Sequence, residues 1–281
     1  MIILVKYLVM GSVVCLMLAV GLRTSFRQVI EVVKKVQLLA RGVIANFVIV
    51  PVLIGLALIW LPLSPYVKVG IMLMAAAPVA PMAPPFVAMA KGDVPYAVGL
   101  MTVVGLLSIP LTPLILILAL PESLGEVGVD PLQIKQTLIL VQLIPIAAGM
   151  ALLHARPDLA ERVAGYVSKF GRIGLIVGVG LILFMQAEQI SAIQPLAYLV
   201  VTVAAMVSLI VGDRMMLGES AERHRALAVS TAIRNIPLAL LIANQSFSGT
   251  SAAPTTLIFA VMTMILSIVY GKLMAPKEAG S

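Results

Sequence analysis

Residues 230–239 read STAIRNIPLA and place an arginine, an asparagine and a proline in the middle of a long apolar segment. The chain around this stretch is suited to lipid: 61% of its 281 residues are hydrophobic, 11% are charged, and its mean hydropathy is +1.13. Water-soluble domains do not have this composition. A full positive charge in the centre of such a segment is costly, so we expect Arg234 to have a defined role.

Apolar segments of about 20 residues, each long enough to cross roughly 30 Å of hydrocarbon as a helix, recur along the chain. They predict an all-α polytopic membrane protein with nine transmembrane helices and no soluble domain between them. The predicted spans are 3–22, 37–61, 66–90, 94–119, 132–154, 171–190, 195–214, 224–245 and 254–273.

Basic residues predict how these spans are oriented, because Lys and Arg collect in cytoplasmic loops. With the N-terminus outside and the C-terminus in the cytoplasm of a plasma (inner) membrane, fifteen of the 19 Lys and Arg residues fall on the cytoplasmic side. Anionic lipid then accounts for the net charge of +7, and no nucleic-acid partner is expected. The fifteen are Arg23, Arg27, Lys34, Lys35, Arg41, Lys91, Arg156, Arg162, Lys169, Arg172, Arg214, Arg223, Arg225, Lys272 and Lys277.

Acidic residues avoid the middle of every predicted span. Each of the twelve falls in a loop or near a helix end: Glu31, Asp93, Glu122, Glu126, Asp130, Asp158, Glu161, Glu188, Asp213, Glu219, Glu222 and Glu278. Arg234 therefore has no carboxylate partner at its depth. Backbone carbonyls or an incoming anion remain as its expected partners.

Two of the predicted spans should be broken helices. The third span contains Pro78, Pro81, Pro84 and Pro85 within eight residues, and each proline removes a backbone donor and clashes with the preceding turn. The eighth span should break around Asn235 and Pro237. Broken backbone at this depth is tolerated only inside protein or beside a water-filled cavity.

The two broken spans run in opposite directions in the predicted topology. Spans one to four and six to nine would then form an inverted repeat, with span five outside it. Interrupted helices at matching places in inverted repeats are typical of the central site of a secondary transporter.

Three segments resemble the bile acid:sodium symporter family: GVIANFVIVP (42–51), AAAPVAPMAPPFVAMAKGDVPYAVGL (75–100) and RALAVSTAIRNIPLALLIA (225–243). The resemblance implies a single transporter unit over residues 1–281, in which the broken helices cross at the binding site and two domains move to alternate access. The implied core domain comprises 37–61, 66–90, 94–119, 195–214, 224–245 and 254–273, and the implied panel domain comprises 3–22, 132–154 and 171–190.

The positions that bind sodium in coupled members of that family are largely replaced here. In the first broken helix, a ligand Ser and Asn become Ala83 and Pro84, and on the next helix a Ser and a Thr become Ala97 and Met101. In the second broken helix, the pattern Glu-x-x-x-Gln-Asn becomes a segment that begins at Ser230 and ends in Arg234 and Asn235. Only Asn46, which replaces a Gln, and Asn235 keep side-chain amides. A possible weak sodium site would consist of Asn46, Ser230 and Thr231.

These replacements lead to the hypothesis of an organic-anion transporter with weakened or absent sodium coupling. Arg234 would supply the positive charge, because a guanidinium is permanently charged and only donates hydrogen bonds. The predicted substrate contacts are Arg234, Asn235 and Pro81, and no cofactor is expected apart from the undecided sodium. Alternatively, Arg234 snorkels or caps the broken end of span three and holds the crossover together without touching the substrate.

Other classes of function remain as alternatives. A sodium-coupled symporter could use backbone carbonyls and Asn46, and a metalloid carrier is disfavoured because Cys15 lies in the first span. A sensor or structural membrane protein would lack an open cavity at the crossover. An enzyme is not expected, because the mid-span hydroxyls have no neighbouring base or metal ligand in the sequence. These hydroxyls belong to Ser12, Thr102, Ser108, Thr202 and Ser208.

Glycines inside the spans predict close helix packing, because a missing side chain lets two backbones approach. The glycines concerned are Gly11, Gly21, Gly42, Gly174, Gly178 and Gly180.

Overall fold

The computed structural model describes residues 2–27, 30, 34–119 and 131–274. Within these ranges every regular element is helical, apart from one isolated backbone bridge. Six charged residues of the sequence analysis lie outside the described residues: Glu31, Glu122, Glu126, Asp130, Lys277 and Glu278. In chain order the helices are α1 (Ile2–Gly21), α2 (Val36–Ile44, Ala45–Ile49 and Val50–Trp60), α3 (Pro65–Ala76), α4 (Ala83–Met89), α5 (Val94–Ala119), α6 (Pro131–Leu138, Ile139–Leu143 and Ile144–Ala155), α7 (Pro157–Met185), α8 (Ala187–Ser191), α9 (Pro195–Arg214), α10 (Ala221–Ala232), α11 (Ile236–Ser246) and α12 (Ala252–Met274).

Seven of these helices are long and apolar enough to cross a membrane: α1, α2, α5, α6, α7, α9 and α12. Helices α5 and α9 have the predicted ends at both termini, because an uninterrupted apolar run defines them. The remaining two predicted spans each divide into two shorter helices, α3 with α4 and α10 with α11. The predicted all-helical membrane protein and its two broken spans are therefore confirmed.

Helix α7 differs from the predicted span 171–190, since it begins at Pro157 and ends at Met185. Proline suits the first turn of a helix, where its missing N–H would have no partner. The charged residues that follow Pro157 are typical of a loop, yet they lie on the exposed side of a helical extension whose inner side buries Ala160 and Ala164.

Helices α2 and α6 each contain one π-helical turn, Ala45–Ile49 and Ile139–Leu143. In α2 the N–H of Val50 donates to the carbonyl of Ala45, five residues earlier. The donor for the next carbonyl, that of Asn46, would be Pro51, which has no N–H. The π turn and the proline together leave the Asn46 carbonyl without a partner on its own helix.

Helices α1, α6 and α7 pack against one another, and we refer to them as the three-helix group. Most of the other helices pack into a second group, in which α12 contacts α3, α9 and α11, and α4 contacts α5 and α10. Large apolar side chains such as Leu4, Trp60 and Phe184 are among the most exposed, as expected for a surface that faces lipid.

The predicted role of the glycines is confirmed at four of the six positions. A Cβ added to Gly21 would meet the Ile146 carbonyl, and one added to Gly42, Gly174 or Gly178 would meet a neighbouring side chain. The prediction is wrong for the two others, Gly11 and Gly180, because nothing lies within 4 Å of an added Cβ there. A glycine in an apolar helix does not by itself indicate which face contacts a neighbour.

Candidate functional site

The two interrupted segments cross as antiparallel extended backbone, where Val79 and Arg234 form an isolated bridge. The N–H of Ala80 donates to the carbonyl of Ile233 at 2.9 Å, and the N–H of Asn235 donates to the carbonyl of Pro78 at 2.8 Å. Each break thus supplies partners for the other. This pairing satisfies backbone groups that have no water available at membrane depth.

Prolines and an asparagine cap explain where the helices stop and restart. Ala77, which precedes Pro78, is extended with ψ of 144°, since a residue before proline avoids the helical region. Asn235 caps α11, because its Oδ1 accepts a hydrogen bond from the Leu238 N–H at 3.2 Å. Pro237 lies in the first turn of α11, where no N–H is required.

The four prolines of the third span divide between two roles. Pro78 lies in the extended crossing strand, and Pro81 lies in the turn that follows it. Pro84 and Pro85 lie in the first turn of α4, so they help to start that helix rather than to break it.

The side chain of Arg234 lies fully inside the protein, with 1% of its surface exposed. Its Nη1 donates to the carbonyl of Ala77 at 3.0 Å and to that of Asn46 at 3.2 Å. Its Nε and Nη2 have no hydrogen-bond partner, and no ion pair to Arg234 forms within the described parts of the chain. The expected backbone partners are thus present, and one edge of the guanidinium is left unpaired.

Both carbonyls that hold Arg234 lack their usual helical donor. For Asn46 the donor position is Pro51, as described above. For Ala77, the last residue before the break, the donor of a continued helix would be Pro81, which has no N–H. A buried carbonyl without a partner costs about 1–3 kcal/mol, so Arg234 removes two such penalties at once.

Of the three residues of the predicted sodium site, Asn46 and Thr231 are in contact. Asn46, which is wholly buried, donates through Nδ2 to the Gly42 carbonyl at 2.8 Å and to Thr231 Oγ1 at 3.5 Å. The Asn46 Oδ1 and the Ser230 Oγ are buried and have no hydrogen-bond partner. Asn46 Oδ1 and Ser230 Oγ are therefore two buried oxygens of a type that can bind a hard cation.

Gln142, in the π turn of α6, was not singled out in the sequence. It is 2% exposed, and its Nε2 donates to the Gly105 carbonyl and, at 3.0 Å, to Ser108 Oγ. Its Oε1 has no hydrogen-bond partner. A carboxamide inside a predicted span, a few residues before Pro145, was a signal that could have identified it.

Two cavities open toward the end of the molecule where the basic residues collect. One, of about 300 Å³, lies between α1, α7 and the crossover, with Arg23, Arg172, Pro81 and Pro237 in its wall. The other, of about 730 Å³, shares Arg23 with the first and adds Lys34, Lys35, Asp93 and Arg223. The two together form a basic vestibule that leads to the crossing strands.

One of the vestibule cations is already paired. Arg223 contacts Glu219 at 2.6 Å and Asp93 at 3.7 Å, and the hydrogen bond to Glu219 raises the pKa of Arg223. Arg23, Lys34 and Lys35 form no ion pair within the described residues. The vestibule therefore keeps positive charge available for an anion.

A cavity of about 210 Å³ lies toward the opposite end of α1, with Lys6, Gln186 and Asn244 in its wall. Lys6 and Arg23 lie 17 positions apart in sequence, which as a helix corresponds to about 25 Å. Cavities therefore lie toward both ends of the three-helix group.

A void of about 10 Å³ lies at the crossover, with Pro81, Thr102, Gln142 and Asn235 among its lining residues. Of the three predicted substrate contacts, Asn235 and Pro81 line this void, and Pro81 also lines the 300 Å³ cavity. Arg234 lines none of the four cavities described. Contact between Arg234 and a substrate stays a prediction that requires the crossover to open.

Interrupted helices that meet inside a membrane protein are typical of transporters. Residues 11–193, more than half of the chain, match the model of the Sodium Bile acid symporter family, and the chain belongs to this family of transporters. It is also 27% identical over 274 residues to the "Uncharacterized sodium-dependent transporter YocS" of Bacillus subtilis (strain 168). That alignment covers 95% of this chain and 84% of the relative.

Proposed function

We propose that this protein carries an organic anion, either a carboxylate or a bile-acid-like molecule, across the membrane by alternating access without sodium coupling. Arg234 would take the place of the sodium ion. The observation that carries this proposal is the unpaired edge of its guanidinium, formed by Nε and Nη2. These two nitrogens lie on the same side of the planar group and can hold a carboxylate with two parallel hydrogen bonds.

An anion is the ligand that best satisfies this edge. The described chain offers it no carboxylate, and a buried cation without a counter-charge is costly. A substrate anion would supply both the missing acceptors and the missing charge. Asn235 directly follows Arg234, and Pro81 lies two residues after Val79, the bridge partner of Arg234. Both residues would contact the same substrate.

Alternating access would occur between two domains. The three-helix group, corresponding to spans 3–22, 132–154 and 171–190, would be the panel, and the other six spans would be the core. The nine crossings would include the divided pairs α3–α4 and α10–α11, related by an inverted repeat. The antiparallel crossing and the cavities at both ends of the three-helix group support this arrangement.

The vestibule end would face the cytoplasm, and the N-terminus would lie outside, because cytoplasmic loops are rich in Lys and Arg. In the described conformation the larger cavities would then be open to the cytoplasm. The protein would reside in the plasma (inner) membrane.

A sodium-coupled symporter is the second candidate. The unpaired oxygens Asn46 Oδ1 and Ser230 Oγ favour it, and it is consistent with the description of the Bacillus relative as a sodium-dependent transporter. Against it, the Arg234 guanidinium, which donates to the Asn46 carbonyl, would repel a sodium ion bound at Asn46.

The two candidates are separated by anion binding in sodium chloride and in choline chloride. Purified protein would be titrated with cholate, taurocholate and 3-methylbutanoate, and its unfolding temperature recorded. We expect at least one anion to stabilise the protein with the same midpoint concentration in both salts. Stabilisation in sodium alone would select the second candidate, and stabilisation by none of the three anions would contradict the proposed substrate class. Uptake into proteoliposomes with the same salt exchange tests transport directly.

Removal of a vestibule cation should weaken anion binding modestly. Arg172→Gln takes away an exposed charge beside the 300 Å³ cavity, and an exposed ion pair contributes about 0.2–1 kcal/mol, or up to about fivefold in Kd. The effect should fade at high salt, because screening shortens the reach of surface charge. Titration of the anion identified above, at low and high ionic strength, measures it.

Arg162→Gln is the matched control, since Arg162 is an exposed arginine on the same helix outside the described cavities. Its Kd should equal that of the unmodified protein. Equal effects of the two substitutions would mean that total charge, and not the position of Arg172, determines binding.

A further inference from the structure

The void at the crossover is large enough for a single group of the size of water. Its volume is about 10 Å³, and a cavity begins to hold one water molecule at roughly 10–15 Å³. Gln142, which belongs to the three-helix group, and Asn235, which belongs to the crossing strand, both line it. Both side chains are at least 98% buried, and each has one polar atom without a partner.

Hydrogen bonds fix which atom of Gln142 is left over. The Ser108 hydroxyl donates to the Gly105 carbonyl at 2.6 Å, so its oxygen is free to accept. The Gln142 amide meets two acceptors, the Gly105 carbonyl and the Ser108 oxygen, and must therefore present Nε2 to them. Its Oε1 is the atom without a partner.

The orientation of Asn235 is fixed in the same way. Its Oδ1 accepts the N–H of Leu238 as a helix cap, which leaves Nδ2 without a partner. Two of the residues that line the void therefore carry one unpartnered polar atom each, the acceptor Gln142 Oε1 and the donor Asn235 Nδ2. Both atoms are costly to leave unpaired inside the protein.

We infer that this void is a binding seat for one hydroxyl group. A hydroxyl donates to Gln142 Oε1 and accepts from Asn235 Nδ2, and it is the smallest common group that does both. A carboxylate oxygen would satisfy only Asn235, and an ammonium would satisfy only Gln142. The same seat takes a water molecule when no substrate is bound.

This inference rests on the proposed transport of an organic anion, and it names a hydroxyl on that anion as a second point of recognition. Because the two partners belong to different helix groups, the bound hydroxyl connects the three-helix group to the crossover. Gln142 is thereby a specificity-determining residue of the same site.

Matched anions with and without a hydroxyl test the seat. The probes are 2-hydroxy-3-methylbutanoate against 3-methylbutanoate, and cholate against cholanate, each titrated on the purified full-length protein. We expect the hydroxylated member to bind roughly tenfold more tightly, since its absence leaves two buried polar atoms unpaired. Gln142→Met, which keeps the length and removes the acceptor, should reduce this preference to about onefold to twofold.

Gln136→Met is the control, because Gln136 is exposed on the same helix and lies outside the described cavities. Its hydroxyl preference should match that of the unmodified protein. A hydroxyl preference that persists in Gln142→Met would overturn the inference. Equal affinities of the unmodified protein for the hydroxylated and hydroxyl-free anions, together with an empty void, would also overturn it.

A high-resolution experimental structure of the unmodified protein keeps the test independent of the variant and of the probes. Oxygen density within hydrogen-bond distance of both Gln142 Oε1 and Asn235 Nδ2, seen without ligand, identifies water as the occupant. Loss of hydroxyl preference in Gln142→Met identifies the substrate hydroxyl as the occupant. Failure of every anion to bind would contradict the proposed function, and the density at the seat would still decide this inference.

Discussion

Arg234→Gln should lower anion affinity by roughly 10- to 100-fold and abolish measurable transport. The substitution removes the unpaired Nε–Nη2 edge, and a hydrogen bond to a charged group contributes about 1.5–3 kcal/mol, where 1.4 kcal/mol corresponds to tenfold. It also leaves the carbonyls of Ala77 and Asn46 without their donor. Thermal titration measures the change in Kd, and uptake into proteoliposomes measures the loss of transport.

Arg225→Gln is the matched control for this prediction. Arg225 lies on α10, is also buried, and also donates to backbone carbonyls, those of Lys91 and Met274. It lies away from the crossover, so its substitution should lower the unfolding temperature and leave Kd unchanged. The anion affinity of Arg234→Lys should lie between those of Arg234→Gln and the unmodified protein, because an ammonium keeps the charge without the planar two-donor edge.

The alternative role of Arg234, that of a cap without substrate contact, gives a different result. Arg234→Gln would then destabilise the protein, yet the folded fraction would bind the anion with unchanged Kd. Such an outcome would remove Arg234 from the substrate site and leave it as the group that holds the two breaks together.

Gly21→Ala should destabilise the fold more than a single methyl group normally does. A Cβ at Gly21 would collide with the Ile146 backbone carbonyl, and the reciprocal glycine on α6, Gly149, leaves no room either, since its own Cβ would meet the Leu18 carbonyl at 2.5 Å. Backbone cannot rotate away as a side chain can, so α1 and α6 must separate. Overpacking of this kind costs about 1–3 kcal/mol or more. The unfolding temperature in detergent measures it.

Gly11→Ala provides the comparison within the same helix. Nothing lies within 4 Å of a Cβ at Gly11, so the added methyl group meets open space. Its unfolding temperature should equal or exceed that of the unmodified protein, because alanine is the better helix former by about 1 kcal/mol. Equal losses in both variants would show that the close approach of α1 and α6 does not limit stability.

The membrane-spanning helices were predictable because apolar length is a property of consecutive residues. The ends of α5 and α9 follow directly from it, and the breaks at Pro78 and Asn235 follow from the missing N–H groups and the capping chemistry of these residue types. The start of α7 was missed, because a charged and exposed helical turn has the same composition as a loop. Gly11 and Gly180 were misjudged, since the identity of a residue does not indicate which helix face meets a neighbour.

For Arg234, the absence of acidic residues at mid-span left backbone carbonyls or an incoming anion as the predicted partners, and the structure shows two carbonyls. Which carbonyls these are depends on a π turn in α2 and on Pro51, whose effects appear only when the helix is built. Gln142 was missed because its partners, Gly105 and Ser108, lie on a different helix more than 30 residues away.

The sequence alone determined that this chain is an α-helical membrane protein, that two of its spans are broken, and that a buried arginine lies in one of the breaks. Hydropathy, proline chemistry and charge are local properties, so they can be read along the chain. Only the tertiary structure decided that the breaks pair with each other, that one edge of Arg234 stays unpaired, and that Gln142 and Asn235 line the same small void. These features arise from distances between residues far apart in the chain, and packing sets those distances.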